Sequence, residues 1–391
     1  MNNVSYHKAI GLLHQVSTKN GFLASAENIS NYQRVWARDG VICGLAALAS
    51  ADEKLIATFK NTLETLADNQ HEIGTIPSNV LISEGKTEVS YGGLAGRVDS
   101  VTWFIIGVCQ YAISQNKPEF VLKYKTQIEK ALVLLNAWEY NNKHLLYVPL
   151  SGNWADEYIT DGYVLYDQLL RIWALKSYNL FAKSEILSKK IIDITDQVES
   201  NFLPNSLEEK YHEKAYQELV FNKYLPSSFS PSGYKTQFDA FANALVVLLK
   251  LGTKENQNQI LEFASSLASE TKLGLVPAFW PPVFQEDEHW NLLKNNCKYE
   301  FRNFPYEFHN GGSWPMVNGF VGLAMLSQNQ TDNVARLLEK INQANAIYDF
   351  SFYENFNTDT QAPNGVAFCA WSAAATVLIH QSLHNNFKLV F

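Results

Sequence analysis

The amino-acid sequence predicts an all-α fold. Three observations carry that reading: twelve segments of helical periodicity, an alternation in their hydrophobic character, and a matching alternation in loop length. Apolar residues recur at three- and four-residue spacing over 5–16, 38–50, 53–70, 98–115, 118–140, 163–181, 184–202, 237–251, 254–270, 316–328, 332–345 and 366–383.

Taken in chain order, these twelve helices form six hairpins of alternating kind. Val41–Ala49, Val101–Ile113, Ala240–Leu251 and Ala367–Ile379 are apolar nearly all round, whereas Ile186–Phe202 and Asn256–Glu270 carry a charged outer face. A helix that is hydrophobic all round is buried, and one with a polar stripe lies outside. Six buried and six surface helices suggest an inner and an outer ring; on periodicity alone, an ordinary helical bundle or solenoid is the alternative. The connections sharpen the choice. Ala51-Asp52 and Gly252-Thr253 follow buried helices and are short, whereas the segments leading into buried helices are long: 17–37, 71–97, 141–162, 203–236, 271–315 and 346–365. In a toroid all six long loops fall on one end, and loops of that length in a compact domain are usually functional. The expectation is therefore a six-hairpin toroid, an (α/α)6 barrel, with its working face at the long loops.

The 391 residues suffice for one large domain, expected to span 1–391, and 47% hydrophobic content supplies a sizeable core. A net charge of −8 without a basic stripe argues against nucleic acid as a partner. The short cluster Glu286–Asp287–Glu288 reads as a solvated loop. Cys43, Cys109 and Cys369 lie in apolar helical runs, where free buried thiols are usual, and with Cys297 they form no CxxC pair, so no metal site is expected. The N-terminus shows no signal-peptide pattern, and no apolar run is long enough to span a membrane. A cytosolic protein is expected, and a homo-oligomer is compatible with the sequence.

The long loops are rich in aromatics, carboxylates, Asn and Gly. Trp36, Trp154, Trp280, Trp290 and Trp314 fall in them. Flat aromatic faces beside hydrogen-bonding groups suit sugar rings, although any one such tryptophan could simply pack its loop. Arg38 and Asp39 stand where a buried helix begins, as a cap with its ion-pair partner or as ligands for sugar hydroxyls; Asp99 and Asp239 carry the same ambiguity at later helix starts. Segment 151–168 offers Asp156, Glu157, Asp161 and Asp167. Asp161 reads as a helix cap, and Asp156 follows Trp154, an aromatic neighbour able to desolvate a carboxyl and favour a general acid. In His309-Asn310-Gly311-Gly312-Ser313-Trp314-Pro315, the paired glycines permit unusual backbone angles and close approach to a ligand. Glu354 is a lone carboxylate among aromatics in the last long loop. Two carboxylates facing one cavity are the minimum equipment for glycoside hydrolysis.

Tyr32–Gly40, Gly96–Phe104, Ser151–Gln168, His309–Pro315 and Phe352–Asn357 together resemble the motif set of the inverting (α/α)6-barrel glycoside hydrolases. The nearest members are the alkaline/neutral invertases, followed by the amylo-α-1,6-glucosidases and processing α-glucosidases. The motifs run in the family's order from about residue 30 to 383. The resemblance implies the toroid, inversion at the anomeric carbon, Asp156 as general acid and Glu354 as general base. It places Arg38, Asp39, Asp99, His309, Asn310 and Trp314 in the sugar subsites and implies no metal or organic cofactor; Trp36 and Trp154, with Trp314, are expected to wall the site against water. The implied substrate is a small carbohydrate. Departures bear on which sugar: Glu157-Tyr158 follow Asp156 where the invertases carry basic residues, Asp167 stands for their usual Glu, and Gly74–Asn79 leans toward an α-glucoside. Two rival classes exist on the same scaffold. A sugar epimerase or isomerase would use histidines, of which His71, His144, His212, His289 and His309 lie in the long loops. A non-catalytic carbohydrate-binding toroid would tolerate loss of both carboxylates.

Overall fold

The structure, a computed structural model, describes residues 2–29, 31–83, 85–204 and 206–391. Its helices are α1 (Asn2–Gln15), α2 (Ala37–Ser50), α3 (Glu53–Asp68), α4 (Asp99–Ser114), α5 (Pro118–Lys123), α6 (Lys125–Ala137), α7 (Leu165–Ala182), α8 (Glu185–Phe202), α9 (Glu213–Glu218) and α10 (Ala240–Leu249). They continue with α11 (Lys254–Glu270), α12 (Trp290–Asn296), α13 (Pro315–Ser327), α14 (Thr331–Asn345), α15 (Ile347–Phe350) and α16 (Ala370–His384). All twelve expected helices are present.

Helix α2 packs against α4, α4 against α7, α7 against α10, α10 against α13, α13 against α16, and α16 against α2. These six therefore form a closed cycle of neighbours, and they are the all-round apolar segments: every residue of α10 is buried, as are Ala37–Ala49 of α2. Against their outer sides lie α1, α3, α6, α8, α11 and α14, whose buried positions fall at helical spacing, such as Leu55, Phe59, Leu63 and Leu66 of α3. Side chains cap three of these outer helices: Asp52 on α3, Ser184 on α8, and a Thr253–Asn256 capping box on α11. Each such cap contributes about 1 kcal/mol. No helix among the described residues is long and apolar enough to cross a membrane.

The centre of the cycle is filled. The Trp103 ring on α4 meets Phe241 on α10 (6.3 Å between centroids) and Phe320 on α13 (6.2 Å), neither of them on a helix adjacent to α4 in the cycle. Trp173 on α7 completes the cluster at 5.7 Å from Trp103. Beyond it, the Phe391 ring lies against Trp173 at 4.5 Å, and the Val390 carbonyl accepts hydrogen bonds from Gln110 Nε2 and Trp173 Nε1, both 2.6 Å.

Three expectations change at the boundaries. The segment 118–140 is broken between α5 and α6 at Tyr124, which leaves helical geometry while its ring packs on Phe104 and Phe120. Residues 237–239 extend a strand, Gly233–Asp239, before α10 begins. That strand belongs to an antiparallel sheet in the order Tyr163–Val164, Pro226–Ser230, Gly233–Asp239, Phe279–Trp280, so the long loops fold onto one another rather than lying free. Asp161 is not a helix cap: α7 starts at Leu165 without a side-chain cap, and Asp161 pairs with Lys235 of the sheet.

Candidate active site

The N-terminal ends of the six ring helices converge. Arg38 in the first turn of α2 donates from Nη1 to Asp99 Oδ2 at the start of α4 (2.8 Å), and its guanidinium lies 5.6 Å from the Trp371 ring on α16. The Tyr166 hydroxyl of α7 donates to the same Asp99 oxygen at 3.3 Å and accepts from Trp103 Nε1 at 2.9 Å. Trp314, preceding α13, contacts Trp371 and Trp154. Asp239 caps α10 by accepting from the Phe241 and Ala242 amides. Six helix N-termini aimed at one region favour negative charge there.

Carboxylates occupy that region. Asp39, Asp99, Asp167 and Asp239 are all buried. Burial pushes Asp39 up to about 6, with Arg38 opposing, and pushes Asp239 up to about 7 against its two capping amides. Asp167 is driven well above the usual carboxylate range, first by burial and then by the charge of Asp99. Desolvation dominates in each case, as expected for carboxyls in a low-dielectric interior. Several buried polar atoms make no hydrogen bond among the described residues: Asp99 Oδ1, Asp167 Oδ1, Asp239 Oδ2, Arg38 Nε, Trp154 Nε1 and Trp371 Nε1. Buried donors and acceptors of both kinds, set between aromatic rings, match the rim and face of a sugar.

Asp156 sits above this floor in a tightly wound loop. Ser151 takes a left-handed conformation, the Asn153 side chain accepts from the Ala155 amide, and Asn153 Nδ2 ties the loop to Asp167 at 3.0 Å. Arg97 clamps it from the neighbouring loop, donating to the Ser151 carbonyl and, from Nη2, to Asp156 Oδ2 at 2.7 Å. The aromatic wall expected around Asp156 is not what this loop builds. The Trp154 indole turns inward, stacked on Phe279 at 5.7 Å and edge-on to His309 at 5.1 Å. Asp156 instead keeps 29% of its side chain exposed and has Arg97 as its partner.

Glu354 is buried in a different manner. Its amide donates to the Val366 carbonyl, and the adjoining Asn355–Phe356 pairs with Pro363–Asn364, which folds the chain back over the carboxyl. Gly365 lies so close that a Cβ there would fall 2.2 Å from Glu354 Oε2. The Tyr32 hydroxyl donates to Oε1 at 2.9 Å. Burial pushes Glu354 up to about 7; the Tyr32 hydrogen bond and the Arg302 charge oppose the rise, and the charges of Asp39 and Asp156 add to it. Asp39, Asp156 and Glu354 are therefore within electrostatic reach of one another.

His309 is buried and stacks on Trp314 at 4.9 Å. Desolvation drives its pKa down to about 3, and neither ring nitrogen makes a well-formed hydrogen bond, although the Trp154 backbone slightly favours the protonated form. It is a neutral imidazole at physiological pH. Asn310, expected beside the sugar, is fully buried and holds the loop together: its Oδ1 accepts from the Val283 amide, and its Nδ2 donates to the Val283 and Asn303 carbonyls. The paired glycines admit the chain's own backbone rather than a ligand, since a Cβ on Gly312 would lie 2.4 Å from the Phe308 carbonyl oxygen. Arg38 pairs with Asp99 and not with its neighbour Asp39. Trp36 is half-buried, with Nε1 on the Asn31 carbonyl. Trp280 and Trp290 pack on Tyr306 and Phe301 of their own loop. Tyr32 and Arg97 were missed as partners of the two carboxylates although both lie inside motif segments; Arg302, in a stretch without periodicity, gave no signal.

The family model for alkaline and neutral invertase matches residues 200–386. Neutral/alkaline invertase 3, chloroplastic, from Oryza sativa subsp. japonica is 21% identical over 161 residues, which cover 41% of this chain and 26% of that protein; the match thus spans about a quarter of the relative's length. Among solved structures, the GH63 mannosylglycerate hydrolase from Thermus thermophilus aligns with a TM-score of 0.66 at 12% identity over 95% of this chain and 99% of its own. A structure described as a wild-type glycosidase aligns with a TM-score of 0.66 at 12% identity over 98% and 96%. The chain thus resembles the alkaline and neutral invertases in the sequence of its C-terminal half and shares its fold with GH63 glycosidase structures.

Proposed function

We propose that the protein is a glycoside hydrolase that cleaves a small α-glucoside or sucrose-like sugar by single displacement, with Asp156 as general acid and Glu354 as general base. The observation that carries this reading is a pair of unlike carboxylates within electrostatic reach of one another, Asp156 held by Arg97 and Glu354 buried under Tyr32. The closed cycle of six helices with outer partners supports an (α/α)6 toroid forming one catalytic domain over 1–391. The four free thiols are in keeping with a reducing, cytosolic setting.

In this mechanism Arg97 fixes Asp156 through Oδ2, and Oδ1, which makes no hydrogen bond among the described residues, delivers the proton to the glycosidic oxygen. Glu354 takes a proton from the water that attacks the anomeric carbon from the other face. Its pKa near 7 makes it a strong base that is still substantially ionised at neutral pH. Inversion requires about 6.5–9.5 Å between the two carboxyl groups, enough for that water. Arg38, Asp39 and Asp99 hold ring hydroxyls, the neutral His309 offers one donor and one acceptor, and Trp36, Trp154 and Trp314 wall the sugar.

The test is proton NMR of the protein with sucrose, maltose, isomaltose, trehalose, glucosylglycerate and mannosylglycerate, the last chosen because the Thermus relative is described as its hydrolase. Hydrolysis with the inverted anomer appearing first is the expected result. Release of the retained anomer would overturn single displacement, and no turnover of any sugar by folded protein would overturn the substrate class.

A further inference from the structure

The 281–308 stretch of the longest loop lies over the loop that carries Asp156, and the contacts between them are polar and directional. Ser151 Oγ donates to Asn296 Oδ1 (2.9 Å), and Asn296 Nδ2 donates to the Tyr158 carbonyl (2.9 Å). Asn303 Nδ2 reaches both the carbonyl and Oε2 of Glu157 at 3.3 Å. At the centre, Arg302 grips Glu157 with two prongs, Nε to Oε2 at 2.8 Å and Nη2 to Oε1. The guanidinium rests 4.7 Å from the centre of the Phe308 ring. Glu157 is the residue directly after the proposed acid, and it departs from the basic residues the invertase-like motif carries there.

Arg302 also acts away from Glu157. Its charge is felt by Glu354, by Tyr32 and by His309. The guanidinium, bonded to the loop bearing Asp156, is therefore also within electrostatic reach of Glu354. The two-pronged geometry matters because it fixes the plane as well as the place of the charge.

We propose that Glu157 and Arg302 are positioning residues whose ion pair latches the 281–308 loop onto the acid-bearing loop and holds a guanidinium beside Glu354, so that seating the loop and readying the base are one event. The proposal rests on the hydrolase reading above. The charged and titratable groups around Glu354 are Tyr32, Asp39 on α2, Asp156, Cys369 before α16, and Arg302. Burial is the largest influence on the carboxyl, and among these groups the Tyr32 hydrogen bond and the Arg302 charge oppose it, so the placement of Arg302 bears on how readily Glu354 ionises.

The experiment follows the Glu354 carboxyl carbon by NMR across pH in protein labelled with carbon-13 glutamate, the signal being assigned by its loss in E354Q. Arg302→Gln is expected to raise the Glu354 midpoint by roughly half to one pH unit, the size of a partly screened charge contact. Glu157→Gln gives the decisive sign. If Glu157 were only a nearby negative charge, removing it would lower the midpoint; if it holds Arg302 in place, releasing Arg302 raises it. An upward shift in both variants is the expected result. A downward or absent shift in Glu157→Gln, or no shift in Arg302→Gln, would overturn the latch. The titration needs no substrate, so a wild-type protein that hydrolyses no glycoside would sink the hydrolase reading and leave the latch to be judged on its own signal.

Discussion

Substituting Gly365 by alanine should separate catalysis from stability. Gly365 has φ of +74°, and the added Cβ would lie 2.2 Å from Glu354 Oε2 and 2.8 Å from Glu354 Cβ. Ordinary contact begins at 3.4 Å, so the carboxyl must retreat by about 1.2 Å. A misplacement of that order costs on the order of 100-fold in rate, or about 2.7 kcal/mol of transition-state stabilisation. The left-handed backbone adds roughly 1–2 kcal/mol of lost folding stability. Gly233 is the control: its φ is +106°, and a Cβ there meets nothing within 4 Å among the described residues. Gly233→Ala should lose comparable stability by thermal unfolding while keeping kcat/KM. Steady-state kinetics on whichever sugar proves to be hydrolysed, paired with melting curves, reads both effects. A Gly365→Ala protein within threefold of wild-type activity, or a Gly233→Ala protein that loses as much, would refute the argument that the glycine exists to make room for the base.

Further outcomes follow from the carboxyls and from His309. Because Glu354 must be ionised to act as base, kcat/KM should rise with pH through about 7; a limb that falls there instead would mark Glu354 as the acid. A carboxyl raised in the folded state from 4.5 to about 7 makes folding less favourable as pH climbs between those values, so Glu354→Gln should abolish turnover yet be more stable than wild type at pH 8, by about 1–3 kcal/mol, and no more stable at pH 4. Asp156→Asn should lose about 10²- to 10⁴-fold on natural glycosides but keep activity on a glycosyl fluoride, whose leaving group needs no proton; Glu354→Gln should hydrolyse neither, and equal losses on both substrates would remove Asp156 from the acid role. His309 should show no titration by NMR between pH 5 and 9, since burial holds it near 3; a midpoint near 6.5 would mean the imidazole is solvated.

The ring was readable from sequence because burial on all sides leaves a simple trace: Val41–Ala49 and Ala240–Leu249 have no polar face to hide. Position along the chain also disclosed where chemistry could sit, since Asp39, Asp99 and Asp239 stand at helix starts that converge in space. What sequence did not disclose is pairing between loops. Nothing local distinguishes an Asp156 desolvated by Trp154 from one clamped by Arg97, because the choice depends on which way the indole turns, and the hydrophobic pull of Phe279, His309 and Trp314 decides that. Asn310 makes a related point: a polar residue in a sugar-binding motif reads as a ligand, and the pairing of its carboxamide with Val283 and Asn303, which carry no pattern of their own, leaves no trace in the sequence. Short strands such as Tyr163–Val164 and Phe279–Trp280 escape periodicity because two residues cannot display a repeat.

The aromatic cluster of Trp103, Trp173, Phe241 and Phe320 fills the centre of the ring, so on the proposed reaction the sugar enters from the end where the helix N-termini converge. On the proposed reaction that fixes the order of events. The sugar unit nearest the floor is the first to enter and the last to leave, and the aglycone, nearer the mouth, departs ahead of it. The freed monosaccharide then occupies the place the next substrate needs, so it should inhibit competitively, whereas the aglycone should not. On that reading a long polymer would not thread the ring, and the substrates would be chain ends and short sugars.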